Sequence, residues 1–306
     1  MNDLWGPVLT AMATPFDDDD RVDTVGASKL CRHLLANGTD ALVVGGTTGE
    51  GAVLDMDERL ALWDACLDAA GDDGPVWAAT GTNDTAATVR LSRAAAARGV
   101  HGLLVVTPYY NKPPQEALYR HFAKVAEATD LPIMLYNVPS RTGVNLAAET
   151  TLRLAHDVPT VRALKEANAD LGQVADILAG RPPGFRLLSG EDAATFAMVA
   201  MGADGVVSVA SHLIGRQIGA MIAALAAGDL RRAARLHLET LPVARALFAT
   251  TSPILLKAAL GLLGLPAGRP RLPLVPADEA QVRALRAVMV RAGLLDAAER
   301  FAAPAS

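Results

Sequence analysis

The chain has 306 residues, of which 51% are hydrophobic, and its formal net charge is −5. This length suits one large domain or two ordinary ones, and the apolar fraction is sufficient for a large core. The negative net charge excludes a basic nucleic-acid surface, no apolar run reaches the ~18 residues of a membrane span, and the N-terminus shows no signal-peptide pattern. We therefore expect a cytoplasmic protein without nucleic-acid or membrane partners.

The residues that usually bind metals are scattered. The two cysteines, Cys31 and Cys66, lie in helix-like segments without CxxC spacing, and the six histidines form no HxxxH or HxH pair. The aspartate run 17–20 predicts a solvated loop, since neighbouring side chains do not all converge on one ion. We expect free thiols in a reducing compartment and no metal site.

Short apolar segments alternate with longer segments of helical periodicity. The predicted strands are Val8–Ala13, Ala41–Gly45, Val76–Thr80, Gly102–Thr107, Pro132–Tyr136, Thr160–Leu164, Phe185–Ser189 and Gly205–Val209. The predicted helices are Thr24–Asn37, Asp57–Ala70, Asp84–Arg98, Pro114–Ala128, Ala148–His156, Leu171–Ala179, Asp192–Met201 and His212–Ala226.

Eight such alternations predict an α/β protein with a (β/α)₈ barrel, the TIM-barrel fold. An open, doubly wound sheet is the alternative, and the near-even spacing favours closure. After residue 228 the strands stop, and three more helices are predicted at Leu230–Ala249, Pro253–Leu263 and Asp278–Ala292. We interpret residues 1–228 as the barrel with the active site and residues 229–306 as a C-terminal helical extension.

Lys165 stands directly after the apolar strand Thr160–Leu164, and the chain has only five lysines. An ammonium at the end of a buried strand is costly unless it is paired or neutralised. A desolvated lysine amine is a nucleophile that forms a Schiff base with a carbonyl compound. Its position also allows a simpler interpretation, in which the side chain reaches solvent.

Other polar residues also follow the predicted strands, where the reactive residues of such barrels cluster. Tyr136 ends the strand before that of Lys165, so its phenol is a candidate for proton transfer. Arg141 follows in a loop and is a candidate carboxylate ligand. Each also allows a structural interpretation, Tyr136 as an aromatic residue at the core edge and Arg141 as a solvated surface residue.

The segment Gly45–Gly51 is rich in glycine but has neither GxGxxG nor GK[ST] spacing. It therefore predicts no nucleotide cofactor. Its threonines, Thr47 and Thr48, and its exposed amides are suited to binding a carboxylate. A plain turn that caps the next helix is the alternative.

Six motifs stand in order along the chain. They are GTTGE at 46–50, TPYYNKP at 107–113, YNVPSRTG at 136–143, KEA at 165–167, SGED at 189–192 and GVVSV at 205–209. With these motifs the chain resembles the dihydrodipicolinate synthase family, within the pyruvate-dependent class I aldolases that include N-acetylneuraminate lyase. The resemblance extends from about Gly6 to Leu295.

The resemblance implies a catalytic role for each residue of a small set. Lys165 would form the Schiff base with pyruvate, and Tyr136 would donate and accept protons. Thr47 would link Tyr136 to Tyr110 of a neighbouring subunit in a proton relay. The covalent imine would need no cofactor.

The resemblance also implies the substrate contacts. Thr48 would hold the pyruvate carboxylate, Val207 would contact pyruvate through its backbone, and Arg141 would bind the carboxylate of L-aspartate 4-semialdehyde. The implied product is 4-hydroxy-tetrahydrodipicolinate, made for lysine and diaminopimelate biosynthesis. Another aldolase of the same family, acting on sialic acid or a sugar acid, remains an alternative, as does a barrel that only binds its ligand.

Family members form homotetramers, usually as a dimer of tight dimers, and many have an inhibitory lysine site at the dimer interface. Asn83 and Tyr109 match the pattern of that site. Met56, Arg59 and Ala87 occupy positions where lysine-sensitive bacterial enzymes have histidine and glutamate. We therefore predict weak or absent inhibition by lysine.

Overall fold

A computed structural model describes residues 4–296 of the chain. Eight parallel strands form a closed barrel in sequence order. They are β1 (Val8–Ala11), β2 (Ala41–Val44), β3 (Val76–Ala79), β4 (Gly102–Val106), β5 (Ile133–Asn137), β6 (Val161–Glu166), β7 (Arg186–Ser189) and β8 (Gly205–Ser208). The barrel prediction is confirmed, and the alternative of an open sheet is wrong.

Pairing between the first and last strands closes the barrel, with Leu9 of β1 opposite Val207 of β8. Nearly every strand side chain is buried, because one set fills the barrel interior and the other packs beneath the helices. This two-sided burial explains why the strands are continuous apolar runs in the sequence.

Twelve helices are found in the described residues. They are α1 (Thr24–Ala36), α2 (Met56–Ala70), α3 (Thr85–Ala97), α4 (Gln115–Ala126), α5 (Pro139–Thr142), α6 (Ala148–Asp157), α7 (Leu171–Gly180), α8 (Thr195–Ala200), α9 (Ser211–Ala226), α10 (Leu230–Leu247), α11 (Ile254–Leu262) and α12 (Glu279–Arg291). Short 3₁₀ turns at Gly51–Val53 and Asp192–Ala194 follow β2 and β7.

Aspartate side chains begin several of these helices. Asp23, Asp84 and Asp170 each accept a hydrogen bond from a backbone N–H in the first turn. Asp55 forms a capping box with Glu58 at the start of α2. These local signals explain why the predicted starts of α1, α2, α3 and α7 lie within one residue of the observed ones.

Two details differ from the sequence prediction in β6 and after β7. Strand β6 continues to Glu166, so Lys165 lies within the strand instead of after it. The segment predicted as one helix from Asp192 to Met201 is a 3₁₀ turn followed by the short helix α8.

Helices α10, α11 and α12 follow the barrel, as predicted. The connection from α11 to α12 returns to the rim of the barrel, where Arg271 contacts residues after β1 and β2. The division at residues 228 and 229 stays a prediction, and its last ten residues, 297–306, lie outside the described part of the chain. Between residues 4 and 296 no helix is long and apolar enough to cross a membrane.

Candidate active site

Lys165 and Tyr136 lie side by side at the carboxyl end of the barrel. The two residues are opposite each other on the paired strands β5 and β6. Lys165 Nζ is 4.3 Å from the centroid of the Tyr136 ring, and the two residues are 4% and 6% exposed. Neither Lys165 Nζ nor the Tyr136 hydroxyl has a hydrogen-bond partner among residues 4–296, so both groups are free to meet a small molecule.

A cavity of about 420 Å³ opens beside Tyr136. Lys165 is not among the residues that line it and adjoins it through the Tyr136 ring. Tyr136 lies on its wall together with Thr47, Tyr109 and Arg141. The apolar side chains of Leu104 and Val106 line it further. A mostly apolar cavity with a few convergent polar groups is typical of a small-molecule site.

Arg141 reaches the cavity from α5, a short helix in a segment where a loop was predicted. Pro139 starts this helix, and Gly143 ends it with a left-handed backbone at φ 75°. The Arg141 guanidinium is exposed and forms no ion pair among the described residues. It is therefore available to an anionic ligand at the mouth of the cavity.

The segment Gly46–Gly51, here called the substrate loop, follows β2 as a tight turn. Its backbone is closed by a hydrogen bond from the Gly51 N–H to the Gly46 carbonyl, at 3.0 Å. Thr14, in the segment that follows β1, holds it in place, since its Oγ1 donates to the Gly49 carbonyl at 2.6 Å. Thr47 is exposed and lines the cavity, whereas Thr48 is only 5% exposed and is not among the cavity-lining residues.

Val207 lies in β8 and is 1% exposed. The end of β8 is held by Asp192, whose carboxylate accepts hydrogen bonds from the Val209 and Ala210 N–H groups, both at 3.0 Å, and from the Ser208 hydroxyl. This carboxylate therefore fixes the backbone beyond Val207. Asp192 belongs to the strand-end motif SGED, and the sequence alone did not indicate its role.

Two carboxyl groups supply negative charge near Lys165. Burial raises the pKa of both Glu191 and Asp192, while the positive charge of Lys165 acts in the opposite direction on each. Gly190 stands beside them and leaves space for the lysine, because a Cβ atom at this residue would lie 3.0 Å from Lys165 Cγ.

A polar network lies on the other side of the same two strands. Asn137 Nδ2 donates to Glu166, with 3.0 Å to each carboxylate oxygen. The Asn168 N–H and Gln173 Nε2 also donate to Glu166, at 2.7 and 2.9 Å. Burial raises the pKa of Glu166 to about 7, although these hydrogen bonds act against that shift. The network ties the ends of β5 and β6 together behind Tyr136 and Lys165.

Tyr110 does not join this site within one chain. Its side chain is 88% exposed and its backbone has φ 75°, in the left-handed region that residues other than glycine seldom adopt. Its N–H donates to the Thr142 carbonyl at 3.2 Å, which fixes this conformation. The predicted link from Tyr136 through Thr47 to Tyr110 is therefore not assembled in the single chain.

Arg59 occupies the side of the cavity near Tyr109. It is 8% exposed, and its guanidinium donates to the carbonyls of Ala79, at 3.1 Å, and Gly51. Met56 and Ala87, the other residues predicted to weaken a lysine site, lie on α2 and α3. The sequence did not indicate that Arg59 would be buried.

Across residues 4–296 no group of three His, Cys, Asp or Glu side chains is arranged to hold a metal ion. The candidate site places the Lys165 amine beside the Tyr136 ring, and Tyr136 and Thr47 line the mostly apolar cavity. Lysine forms Schiff bases with carbonyl substrates, and a phenol moves protons. The fold and the site define a lyase of the class I aldolase type.

Comparison with known proteins identifies the group within that class. Residues 5–292 match the dihydrodipicolinate synthetase family. The 4-hydroxy-tetrahydrodipicolinate synthase of Symbiobacterium thermophilum is 56% identical over 95% of this chain and 99% of its own length. That of Moorella thermoacetica is 49% identical with the same coverage.

A solved structure agrees with these relatives. The crystal structure of DHDPS (dihydrodipicolinate synthase) from Cyanidioschyzon merolae with lysine bound superposes with a TM-score of 0.94. The two sequences are 43% identical, and the match covers 96% of this chain and all of the Cyanidioschyzon merolae chain. The chain belongs to the dihydrodipicolinate synthetase family.

Proposed function

We propose that this protein condenses pyruvate with L-aspartate 4-semialdehyde to give 4-hydroxy-tetrahydrodipicolinate, a step of lysine and diaminopimelate biosynthesis. The observation that carries the proposal is the buried Lys165 amine beside the Tyr136 ring, at 4.3 Å, next to a cavity with Arg141 at its mouth. The relatives of 56% and 49% identity bear the name of this activity.

Pyruvate is bound at the bottom of the site in this proposal. The uncharged Lys165 amine attacks the ketone carbon, and the carbinolamine then loses water to give an iminium ion. Thr48 and the neighbouring amides of the substrate loop hold the carboxylate, and Val207 contacts the ligand through its backbone. The location of these groups at the carboxyl ends of β2, β6 and β8 supports the assignment.

The iminium nitrogen withdraws electrons from the adjacent methyl group, so this carbon loses a proton and becomes an enamine. The enamine carbon attacks the aldehyde carbon of the second substrate, and the aldehyde oxygen takes up a proton to become the hydroxyl. Tyr136 moves these protons. The amine of the second substrate then attacks the imine carbon, which closes the ring and releases Lys165. No cofactor takes part in this sequence.

Arg141 selects the second substrate. A guanidinium binds a carboxylate with two parallel hydrogen bonds, and Arg141 is exposed at the cavity without a competing ion pair. An aldehyde that carries a carboxylate on its far end is therefore preferred over a neutral aldehyde.

Comparing aldehydes tests this assignment directly. Purified protein is incubated with pyruvate and, in separate reactions, L-aspartate 4-semialdehyde, N-acetylmannosamine or a neutral short aldehyde. We expect consumption of pyruvate to be fastest with L-aspartate 4-semialdehyde. A faster reaction with the sugar would support a sialic acid lyase instead, and no reaction with any aldehyde would support a binding protein.

We also propose that the active unit is a tight dimer, two of which form a tetramer. The exposed Tyr110 side chain, held outward by its backbone, supports insertion into the neighbouring subunit, where it completes the relay with Thr47 and Tyr136.

Mixing two inactive variants tests the shared site. Lys165→Ala and Tyr110→Phe subunits are dissociated, combined and reassociated. If Tyr110 acts in the partner's site, half of the sites in mixed dimers contain both Lys165 and Tyr110, and random mixing restores about a quarter of wild-type activity. If Tyr110 acts within its own chain, no site regains both residues and activity stays low.

The proposed location is the cytoplasm. Cys31 and Cys66 are both buried free thiols, which is typical of proteins in a reducing compartment. Burial raises the pKa of the Cys31 thiol to about 11 and that of Cys66 further. Both therefore stay protonated and unreactive at neutral pH.

A further inference from the structure

We propose that Lys257, in the C-terminal extension, is a positioning residue that holds the substrate loop in its pyruvate-binding shape through a buried ion pair with Glu50. This inference rests on the proposed function, since it assigns pyruvate binding to the loop that contains Glu50. Lys257 does not touch the cavity and acts only through Glu50.

The ion pair is short and excluded from water. Lys257 Nζ lies 2.6 Å from Glu50 Oε1, and both side chains are only 2% exposed. Lys257 Nζ also donates to the Arg269 carbonyl at 3.1 Å and lies 4.0 Å from the centroid of the Phe16 ring. Burial lowers the pKa of Lys257, and the Glu50 carboxylate acts against that shift.

Glu50 sets the shape of the substrate loop. Its backbone is left-handed, with φ 53° and ψ 33°, and its N–H donates to the Thr47 carbonyl at 3.1 Å. A residue other than glycine is strained in this backbone conformation and needs its surroundings to hold it there. The carboxylate contacts supply that support and so fix the turn that contains Thr47 and Thr48.

The second oxygen of Glu50 is held by the same extension. Glu50 Oε2 accepts a hydrogen bond from the Arg271 N–H at 2.8 Å. The Arg271 guanidinium in turn donates to the Val53 carbonyl at 3.1 Å and to Glu58 at 2.9 Å. The C-terminal extension therefore forms hydrogen bonds with both ends of the segment that connects the substrate loop to α2.

The pairing explains why a charged residue stands in an otherwise apolar helix. Of the residues of α11, Ile254–Leu262, Lys257 is the only charged one, and it points into the core. A buried charge without its partner is strongly destabilised, so Lys257 and Glu50 each require the other. Replacing both residues by uncharged ones leaves no unpaired charge and so avoids this penalty.

The test compares Lys257→Met, Glu50→Gln and the double variant with the wild type. The readout is the pyruvate concentration that gives half-maximal borohydride trapping, measured at a temperature where circular dichroism shows the variants folded. Arg181→Met is the matched control, because it breaks the Arg181–Asp204 ion pair at the opposite end of the barrel. The two side chains of this pair are about one quarter exposed.

We expect Lys257→Met to raise the half-saturating pyruvate concentration at least tenfold and Arg181→Met to leave it unchanged. The double variant should recover part of that rise, because no unpaired charge remains. Glu50→Gln provides the same comparison if Lys257→Met does not fold. The inference would be overturned if the folded Lys257 or Glu50 variants kept the wild-type half-saturating pyruvate concentration. It would also be overturned if the control raised that concentration equally.

The wild-type reaction separates the two proposals. If the wild type gains no pyruvate adduct, the proposed function and this inference both fail. If the wild type forms the adduct and the variants saturate as it does, only the positioning role of Lys257 fails.

Discussion

Replacing Gly190 by alanine should displace Lys165 without removing any group from the site. A Cβ atom at Gly190 would lie 2.8 Å from Ala167 Cβ, 3.0 Å from Lys165 Cγ and 3.1 Å from Lys165 Cε. Carbon atoms in van der Waals contact are about 3.5–4.0 Å apart, so the lysine side chain must move by roughly 0.5–1 Å.

A displacement of this size is large for a nucleophile. Misplacing a reacting group by about 1 Å costs up to ~100-fold in rate. We therefore expect kcat/KM for pyruvate to fall about 10- to 100-fold, which corresponds to ~1.4–2.7 kcal/mol of transition-state stabilisation. Overpacking should also lower the free energy of unfolding by about 1–3 kcal/mol.

The assay is steady-state kinetics with varied pyruvate, together with denaturant unfolding of the same preparation. Gly261→Ala serves as the control, since a Cβ atom there, in α11, meets no atom within 4 Å. The control should keep wild-type kinetics. A Gly190→Ala protein with unchanged kcat/KM would contradict this prediction and show that Lys165 has more room than its packing indicates.

Three further outcomes follow from the site. Arg141→Ala should raise the half-saturating concentration of L-aspartate 4-semialdehyde roughly 10- to 100-fold in steady-state kinetics, with pyruvate trapping unchanged, since a charge-assisted contact is lost; altered trapping would contradict this role. Millimolar lysine should inhibit the reaction weakly or not at all, because the buried Arg59 guanidinium and the uncharged Ala87 do not favour an ammonium ligand; strong inhibition would show this wrong. Glu166 has a pKa raised to about 7, so the stability that its protonated form adds to the folded protein is complete below the ordinary pKa of 4.5 and is lost as pH rises through 7. Relative to Glu166→Gln, the wild type should lose up to roughly 3 kcal/mol of unfolding free energy between about pH 5 and pH 8 in denaturant titrations, and a constant difference would contradict this.

The sequence predicted the barrel well because its strands are buried on both faces. Each strand is a short apolar run, and aspartates or glycines mark the helix ends that separate the runs. Lys165 and Tyr136 were found for the same reason, since a polar residue at the end of such a run stands out. Strand pairing then placed the two directly opposite each other.

Contacts between distant segments were not predictable in this way. Glu50 and Lys257 are far apart in the sequence, and no periodic pattern connects them. The helix α5 was missed because it is a single turn, Pro139–Thr142, whose residues also suit a loop. The network around Glu166 was missed because its partners come from β5, β6 and α7 and meet only after the barrel closes.

The position of Tyr110 shows a different limit. Within one chain its side chain is exposed, so its proposed role depends on a second subunit. The resemblance to the family supplied that expectation, and no pattern in the sequence itself did. The mixing of inactive variants described above measures this dependence directly.

The most direct measurement is mass spectrometry of the protein after incubation with pyruvate and borohydride, with the modified peptide mapped. We predict one reduced pyruvate adduct per chain, located on Lys165, and no adduct on Lys165→Ala. An adduct on any other lysine, or an unmodified wild-type protein, would contradict the claim that Lys165 is the nucleophile.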